Sequence, residues 1–337
     1  MKTYKTKALA LLVLSFMLVL SACSTGNSNN GGSTAAAEDG QAAAGGNAKT
    51  DDGKAEKKLK IGLTVPTLGN PFFVAMSKGA EEVAAKYNAE VIVVSADHDL
   101  AKQTQQFEDF ITQKVDLILL SPFDSKGIAA AVQQAKAAGI PVVALDGNAE
   151  GGIDSVVMSD NVQAGRLAGE YLAKRLNGKG NIVIIDGPPV SAVIDRIKGF
   201  NEVLAQYPDI KVVANQNGEG NREKTLTLME NVLQANKQID AVFCINDEEG
   251  VGAKIAQEQA GRSEEFFIVG VDGAPSAADA IKEKKSYAAT SAQFPNQMAI
   301  QGVELARKVI NGETVEPQIL IPTELITQDN VDSYKGW

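Results

Sequence analysis

Residues Val115–Asp124, VDLILLSPFD, form an apolar run that stops at Ser-Pro and then at an acid. The pattern returns at Ile239–Glu248 as IDAVFCINDE. A stretch of helical pattern follows each copy. Another apolar run then ends in Asp-Gly, at Asp146-Gly147 and at Asp272-Gly273, so the copies keep offsets of 124 and 126 residues. A short, continuous apolar run reads as a parallel strand buried on both faces, and a strand–helix–strand order demands a right-handed crossover. Two copies predict two lobes of one design, with a cleft between them.

The same alternation extends outward from this pair over the chain from Leu59. Leu59–Val65, Val91–Val94, Leu117–Leu120, Pro141–Leu145, Ile182–Ile185, Ala241–Ile245 and Phe266–Val271 read as strands, mostly continuous in apolar character rather than alternating. Phe72–Tyr87, Gln163–Leu176 and Arg222–Leu233 read as helices between them. The expected class is α/β with doubly wound sheets. A chain of 337 residues is long enough for two such domains.

In open α/β sheets, ligands bind outside the carboxyl ends of the strands. Asp146, Asn246 and Asp272 each stand where an apolar run stops, and so does LGNPFF, Leu68–Phe73. Asn70-Pro71 is a helix start, an Asn N-cap followed by Pro at the first helical position. Neighbouring helical residues point about 100° apart, so Phe72 and Phe73 cannot share one core stripe. Each of these residues also has a plain structural use, as cap, turn former or core. Their convergence on one sheet edge predicts a site. Amides and carboxylates that pair with hydroxyls, beside a ring that covers C–H faces, suit a sugar-like ligand.

The segment before Leu59 reads differently. Lys2, Lys5 and Lys7 precede the apolar run Ala8–Leu20, too short to span a bilayer comfortably and followed by Leu20-Ser21-Ala22-Cys23. This resembles the lipobox of bacterial lipoproteins, which implies a signal peptide over 1–22 and acylation of Cys23. Residues 24–58 carry no apolar side chain larger than Ala, so 23–58 is expected to be a disordered tether with an end-to-end distance of roughly 30–35 Å. Removing residues 1–22 takes away three lysines and no acids, so the formal charge goes from −10 to −13. An acidic body argues against nucleic-acid partners. With Cys23 acylated, Cys244 has no disulfide partner and reads as a buried core thiol in its apolar strand.

Enzyme chemistry finds little support. The first strand–helix turn, Pro66–Phe73, holds one glycine, not Gly-x-Gly-x-x-Gly, and Gly218-Glu219-Gly220 lacks the third glycine. No Walker A sequence occurs. His98 is the only histidine; in Asp97-His98-Asp99 it reads as part of a solvated turn rather than a metal ligand or triad member, with no nucleophile-elbow sequence to accompany it. No enzyme activity, cofactor or metal is expected.

The segment Leu59–Ile326 resembles the ribose-binding proteins among the type I periplasmic binding proteins, the solute receptors of ABC importers. The resemblance rests on Thr67–Phe73, Leu145-Asp146, Ser159-Asp160-Asn161, Arg196 before Gly199-Phe200, Asn246-Asp247-Glu248, Val269–Gly273 and Ala292-Gln293. It implies the type I periplasmic-binding-protein fold: two Rossmann-like lobes joined by a three-segment hinge near Asp160–Asn161, Gln293 and Ile321–Thr323. One lobe is then 59–160 plus 294–322, and the other 161–293 plus 323–337. It also implies that Asn70, Asp146, Arg196, Asn246, Asp272 and Gln293 hydrogen-bond a sugar or polyol, that Phe72 and Phe73 pack against it, and that a membrane permease receives the closed, loaded form. The anchored receptor is expected as a monomer on the outer face of the cytoplasmic membrane. Departures from the ribose pattern stand at Pro66 (a serine there), Gly147 (an arginine) and Gly220 (a phenylalanine), which points to another pentose, a hexose or an acyclic polyol. Phe123, at another strand end, is a candidate for the lost aromatic wall. The same fold serves lac-repressor-type regulators, which the lipobox and the lack of a helix-turn-helix argue against. It also serves sensors that present a sugar-like signal to a chemoreceptor or kinase.

Overall fold

A computed structural model describes residues 58–337. The signal peptide, Cys23 and nearly all of the tether expected from the sequence lie outside the described residues. The first part of the chain runs β1 (Leu59–Val65), α1 (Pro71–Ala85), β2 (Ala89–Ser95), α2 (Leu100–Thr112), β3 (Leu117–Leu120), α3 (Ala129–Ala137), β4 (Val142–Leu145) and β5 (Ser155–Ser159). There follow α4 (Asn161–Arg175), β6 (Lys179–Asp186), α5 (Ser191–Leu204), β7 (Asp209–Asn217), α6 (Arg222–Ala235), β8 (Ala241–Cys244), α7 (Asp247–Gln259), β9 (Phe267–Asp272), α8 (Pro275–Lys282) and β10 (Tyr287–Ala292). Helix α9 (Pro295–Ile310) and strands β11 (Gln318–Ile321) and β12 (Glu324–Thr327) complete it.

Two six-stranded sheets result, in the orders β11-β5-β4-β3-β1-β2 and β12-β10-β9-β8-β6-β7. The orders correspond strand for strand, and β3 and β8 carry the two copies of the repeat. All pairings are parallel except β10 with β12. The chain passes between the sheets three times: from β5 to β6, from β10 to β11, and from β11 to β12. Two α/β lobes with a three-segment hinge are therefore the architecture.

Each sheet is covered on both faces, which explains the continuous apolar runs. Leu63, Leu117, Leu119 and Val143 pack with α1 and α9, while Ile118, Leu120 and Val142 pack on the other side with Phe107 and Phe110 of α2. In the second lobe, Ile182, Ile184 and Phe243 join α4 and α5, while Val183, Ile185, Val242 and Cys244 join α6, α7 and α8. Full burial of such a side chain is worth roughly 1.5–3 kcal/mol, which fixes which runs must be inside. Cys244 is buried and free, as read from its strand.

Five strands were not read from the sequence. Strand β7 is an edge strand with mostly exposed side chains. Strand β10, YAATSA, is wholly buried yet built of small residues, because α4 lies close over it and Ser291 Oγ donates to the Ala164 carbonyl at 2.9 Å. Strands β5, β11 and β12 are short and broken by polar ends, SVVMS, QILI and ELIT, unlike the wholly apolar β3 and β4. Among the described residues, no helix is long and apolar enough to cross a membrane.

Candidate functional site

The helix starts bring side chains to the cleft edge. Asn70 caps α1, its Oδ1 accepting from Phe72 N at 2.9 Å, with Pro71 at the first helical position. Asn246 caps α7 in the same way, accepting from Glu249 N at 2.9 Å, and its Nδ2 donates to the Gly220 carbonyl at 3.1 Å. Capping and cleft lining are thus combined in single residues; in Asn70 the oxygen serves the helix.

All eight residues expected at the site line one cavity between the lobes: Asn70, Phe72, Phe73, Asp146, Arg196, Asn246, Asp272 and Gln293. Hydrogen bonds between the lobes close its rim, Asn148 N to Ser191 Oγ at 2.7 Å and Ser191 N to Ser125 Oγ at 2.9 Å. The cavity offers about 60 Å³ to the centre of a water-sized sphere. At about 10–15 Å³ per water on that scale, it holds the volume of roughly four to six waters.

Arg196 is the charged centre. Helix α5 carries it into the cleft, where Nε donates to Asn161 Oδ1 at 2.8 Å and Nη1 to the Ile245 carbonyl at 2.9 Å. Its guanidinium stands 3.9 Å from Asp146 Oδ1 and 3.8 Å from Asp272 Oδ1, close enough for charge pairing and too far for hydrogen bonds. Gln293 Nε2 donates to Asp272 Oδ1 at 2.7 Å. Asp146 Oδ1 and Gln293 Oε1 are buried and find no hydrogen-bond partner within the chain. Two unspent acceptors beside a guanidinium suit a ligand that brings hydroxyl donors.

Burial raises the Asp146 pKa to about 6, against the lowering effect of Arg196. Burial likewise pushes Asp272 well up, opposed by the same guanidinium. Behind them Asp247 is fully buried and accepts from Ala274 N at 2.7 Å and from Tyr287 Oη and Thr290 Oγ1 at 2.8 Å, so it braces the end of β9. At that end Asp272 has φ 132°, outside the usual range of a residue with a Cβ, a strain of about 1–3 kcal/mol that persists where surroundings over-determine it.

The two phenylalanines divide as their helical spacing requires. Phe72 is 2% exposed and packs in the first lobe's core while still reaching the cavity wall, and Phe73 is half-buried, edge-on to it at 5.2 Å, and lines the same cavity. The reading of His98 as a solvated turn needs correction. His98 does sit in a turn, with φ 60°, but it is half-buried, lines the cleft, and packs edge-on to Phe123 at 5.8 Å. Phe123 lines the cleft too, as do Pro66, Pro122, Pro188, Val190 and Val193. Val190 and Pro188, in the loop that follows β6, carried no sequence signal. Among the described residues, no group of three or more His, Cys, Asp or Glu could hold a metal ion.

The family model described as periplasmic binding protein domain matches residues 61–314. The chain belongs to the periplasmic binding proteins. Similar to it is the ribose import binding protein of Bacillus subtilis, 39% identical over 283 residues that span 83% of this chain and 91% of that one. A xylitol-binding protein of Mycolicibacterium smegmatis is 35% identical over 81% of this chain and 78% of its own. Among solved structures, an ABC transporter solute binding protein from Bacillus halodurans with bound myo-inositol is 33% identical, with TM-score 0.77 over 82% of this chain and 97% of that one.

Within this binding-protein frame, the departures from the ribose pattern have local causes. A Cβ on Gly147 would stand 2.6 Å from Val190 Cγ2 and 3.3 Å from Pro122, so a side chain there would have to displace Val190. Gly220 has φ +66° and follows Glu219 at φ 56°, a left-handed turn that disfavours a bulky aromatic. Pro122 and Val190, which line the cavity, stand beside Gly147, where the ribose pattern has an arginine.

Proposed function

We propose that this chain is an extracytoplasmic solute-binding protein that captures a monosaccharide or polyol between its two lobes and delivers it to an ABC permease, with no chemistry performed on the ligand. The observation that carries this is the pair of unpartnered buried acceptors, Asp146 Oδ1 and Gln293 Oε1, near Arg196 in a cavity between the lobes. Asn70, Asp146, Arg196, Asn246, Asp272 and Gln293 take the hydroxyls, and Phe73 covers a C–H face. Phe72 supports Phe73 from the core. The relatives that bind ribose or xylitol, and the neighbour that holds myo-inositol, support a small polyhydroxylated ligand. The apolar Val190–Pro122 end argues for a ligand other than ribose.

The proposed lobes are 59–160 plus 294–322 and 161–293 plus 323–337, in keeping with sheet membership. The protein acts as a monomer, held to the outer face of the cytoplasmic membrane through acylated Cys23 after loss of 1–22. Detergent-phase partition of the full chain tests the anchor: a Cys23→Ser chain moves to the aqueous phase, and one that stays with detergent contradicts it.

Calorimetric titration with pentoses, hexoses, pentitols and myo-inositol tests the function. Hydroxyls that donate to Asp146 favour its charged form, so binding releases a proton when the pKa of about 6 is pulled down. Affinity then strengthens as pH rises through that value and is about tenfold weaker at pH 5 than at pH 7. Phe73→Ala weakens binding about tenfold or more. Phe72→Ala opens a core cavity and costs stability, about 3–5 kcal/mol. Phe73→Ala with unchanged affinity, or a flat pH profile, contradicts the proposed contacts.

A further inference from the structure

The segment after β12 belongs to the second lobe but ends against the first. Asn330 anchors it, its side chain bonding Thr327 N at 2.8 Å and the Leu325 carbonyl at 2.9 Å, and Val331 is buried in the second lobe's core. Two donors then reach the strained end of β9. Tyr334 Oη donates to the Gly273 carbonyl at 2.9 Å, and Trp337 Nε1 donates to the Asp272 carbonyl at 3.0 Å. The indole ring meets Phe72 of the first lobe edge-on, with centroids 5.9 Å apart and planes at 89°. Phe72 in turn carries Phe73, which lines the cleft.

We propose that Trp337 is a positioning residue for ligand capture, joining the Asp272 backbone of one lobe to the Phe72–Phe73 pair of the other when the cleft is shut. This rests on the cleft's being the ligand site. Asp272 has φ 132° and Gly273 φ +74°, so the peptide between them holds an uncommon conformation, and the two carbonyls that flank the turn are the ones Trp337 and Tyr334 grip. The Asp272 carboxylate is aimed at Arg196 from that same residue. The indole is half-buried and at the surface of the first lobe's core, so its loss removes a bridge without opening the centre of either core. Separation of the lobes would pull the indole from Phe72 or its N–H from Asp272. The bridge therefore favours the shut form and slows ligand release.

Trp337 is the only tryptophan in the sequence, so the bridge has its own optical signal. The experiment uses the full chain in detergent, with D-ribose, D-xylose, xylitol and myo-inositol as separate millimolar probes. In the wild type, the probe that binds should shift or quench the indole emission as the lobes close. Stopped-flow measurement on Trp337→Ala, read by calorimetric or dye signals, should show release about tenfold faster or more with an almost unchanged association rate. Trp337→Phe keeps a ring on Phe72 without the donor and should recover part of that loss. Equal release rates in Trp337→Ala and wild type, or wild-type emission that ignores a bound probe, overturn the proposal. A wild type that binds none of the probes overturns the reading of the cleft itself, and this proposal with it.

Discussion

Arg196→Met is expected to abolish measurable ligand binding and to destabilise the fold by about 3–5 kcal/mol near neutral pH. The side chain is 4% exposed, so its charge exists there only because Asp146 and Asp272 face it. Removing it leaves two buried carboxylates together, with the Asn161 Oδ1 and Ile245 carbonyl bonds also lost. Near pH 7 those acids must either carry unpaired buried charge or take up protons. The guanidinium lowers both pKa values in the parent, so both rise further in the variant. An acid raised by folding contributes stability that is full below its unfolded value near 3.9 and is lost as pH rises through its folded value. The gap between variant and parent is therefore small near pH 4 and widest at pH 7 and above. Urea denaturation at the two pH values measures it. An equal loss at both would mean that charge pairing is not what Arg196 supplies.

The second large effect concerns how Arg196 gets there. Helices α4 and α5 meet through glycines: a Cβ on Gly165 would stand 1.9 Å from the Arg196 carbonyl, and one on Gly199 would stand 2.0 Å from the Val162 carbonyl. Both obstacles are backbone, which no rotamer change relieves. Gly165→Ala gains about 1 kcal/mol of helix propensity and must still push the helices apart, for a net loss of about 2–3 kcal/mol. Because Asn161 on α4 holds Arg196 on α5, that displacement also weakens ligand binding, by about tenfold or more. Denaturant midpoints and calorimetry on the same variant read both effects. Full stability with full affinity would show that the close approach is not needed.

How much of this was legible follows from where the information lies. The repeated strand ends, Asp146, Asn246 and Asp272, were readable because a parallel strand buried on both faces is continuously apolar and its stop is sharp. The Asn70-Pro71 start and the divided fate of Phe72 and Phe73 followed from helix geometry. Arg196 and Gln293 came only with the family resemblance, since a lone Arg in a helix and a Gln after a small-residue strand carry no local signal. Strand β10 stayed hidden because close approach to α4 demands small residues. Trp337 and Val190 were invisible for another reason. They act across the lobe boundary, Trp337 on Phe72 and Val190 beside Gly147, partners far apart in the chain. The position of His98 in the cleft wall was hidden by its flanking acids, which suggest solvent.

The most direct test of the central claim is melting temperature against a panel of pentoses, hexoses, pentitols and myo-inositol. A ligand at about 100 times its dissociation constant adds roughly 2.7 kcal/mol, which moves the melting point of a chain this size by several degrees. The account predicts a clear upward shift with at least one polyhydroxylated ligand, absent in Arg196→Met. No shift with any of them would contradict capture of a sugar or polyol in the interlobe cleft.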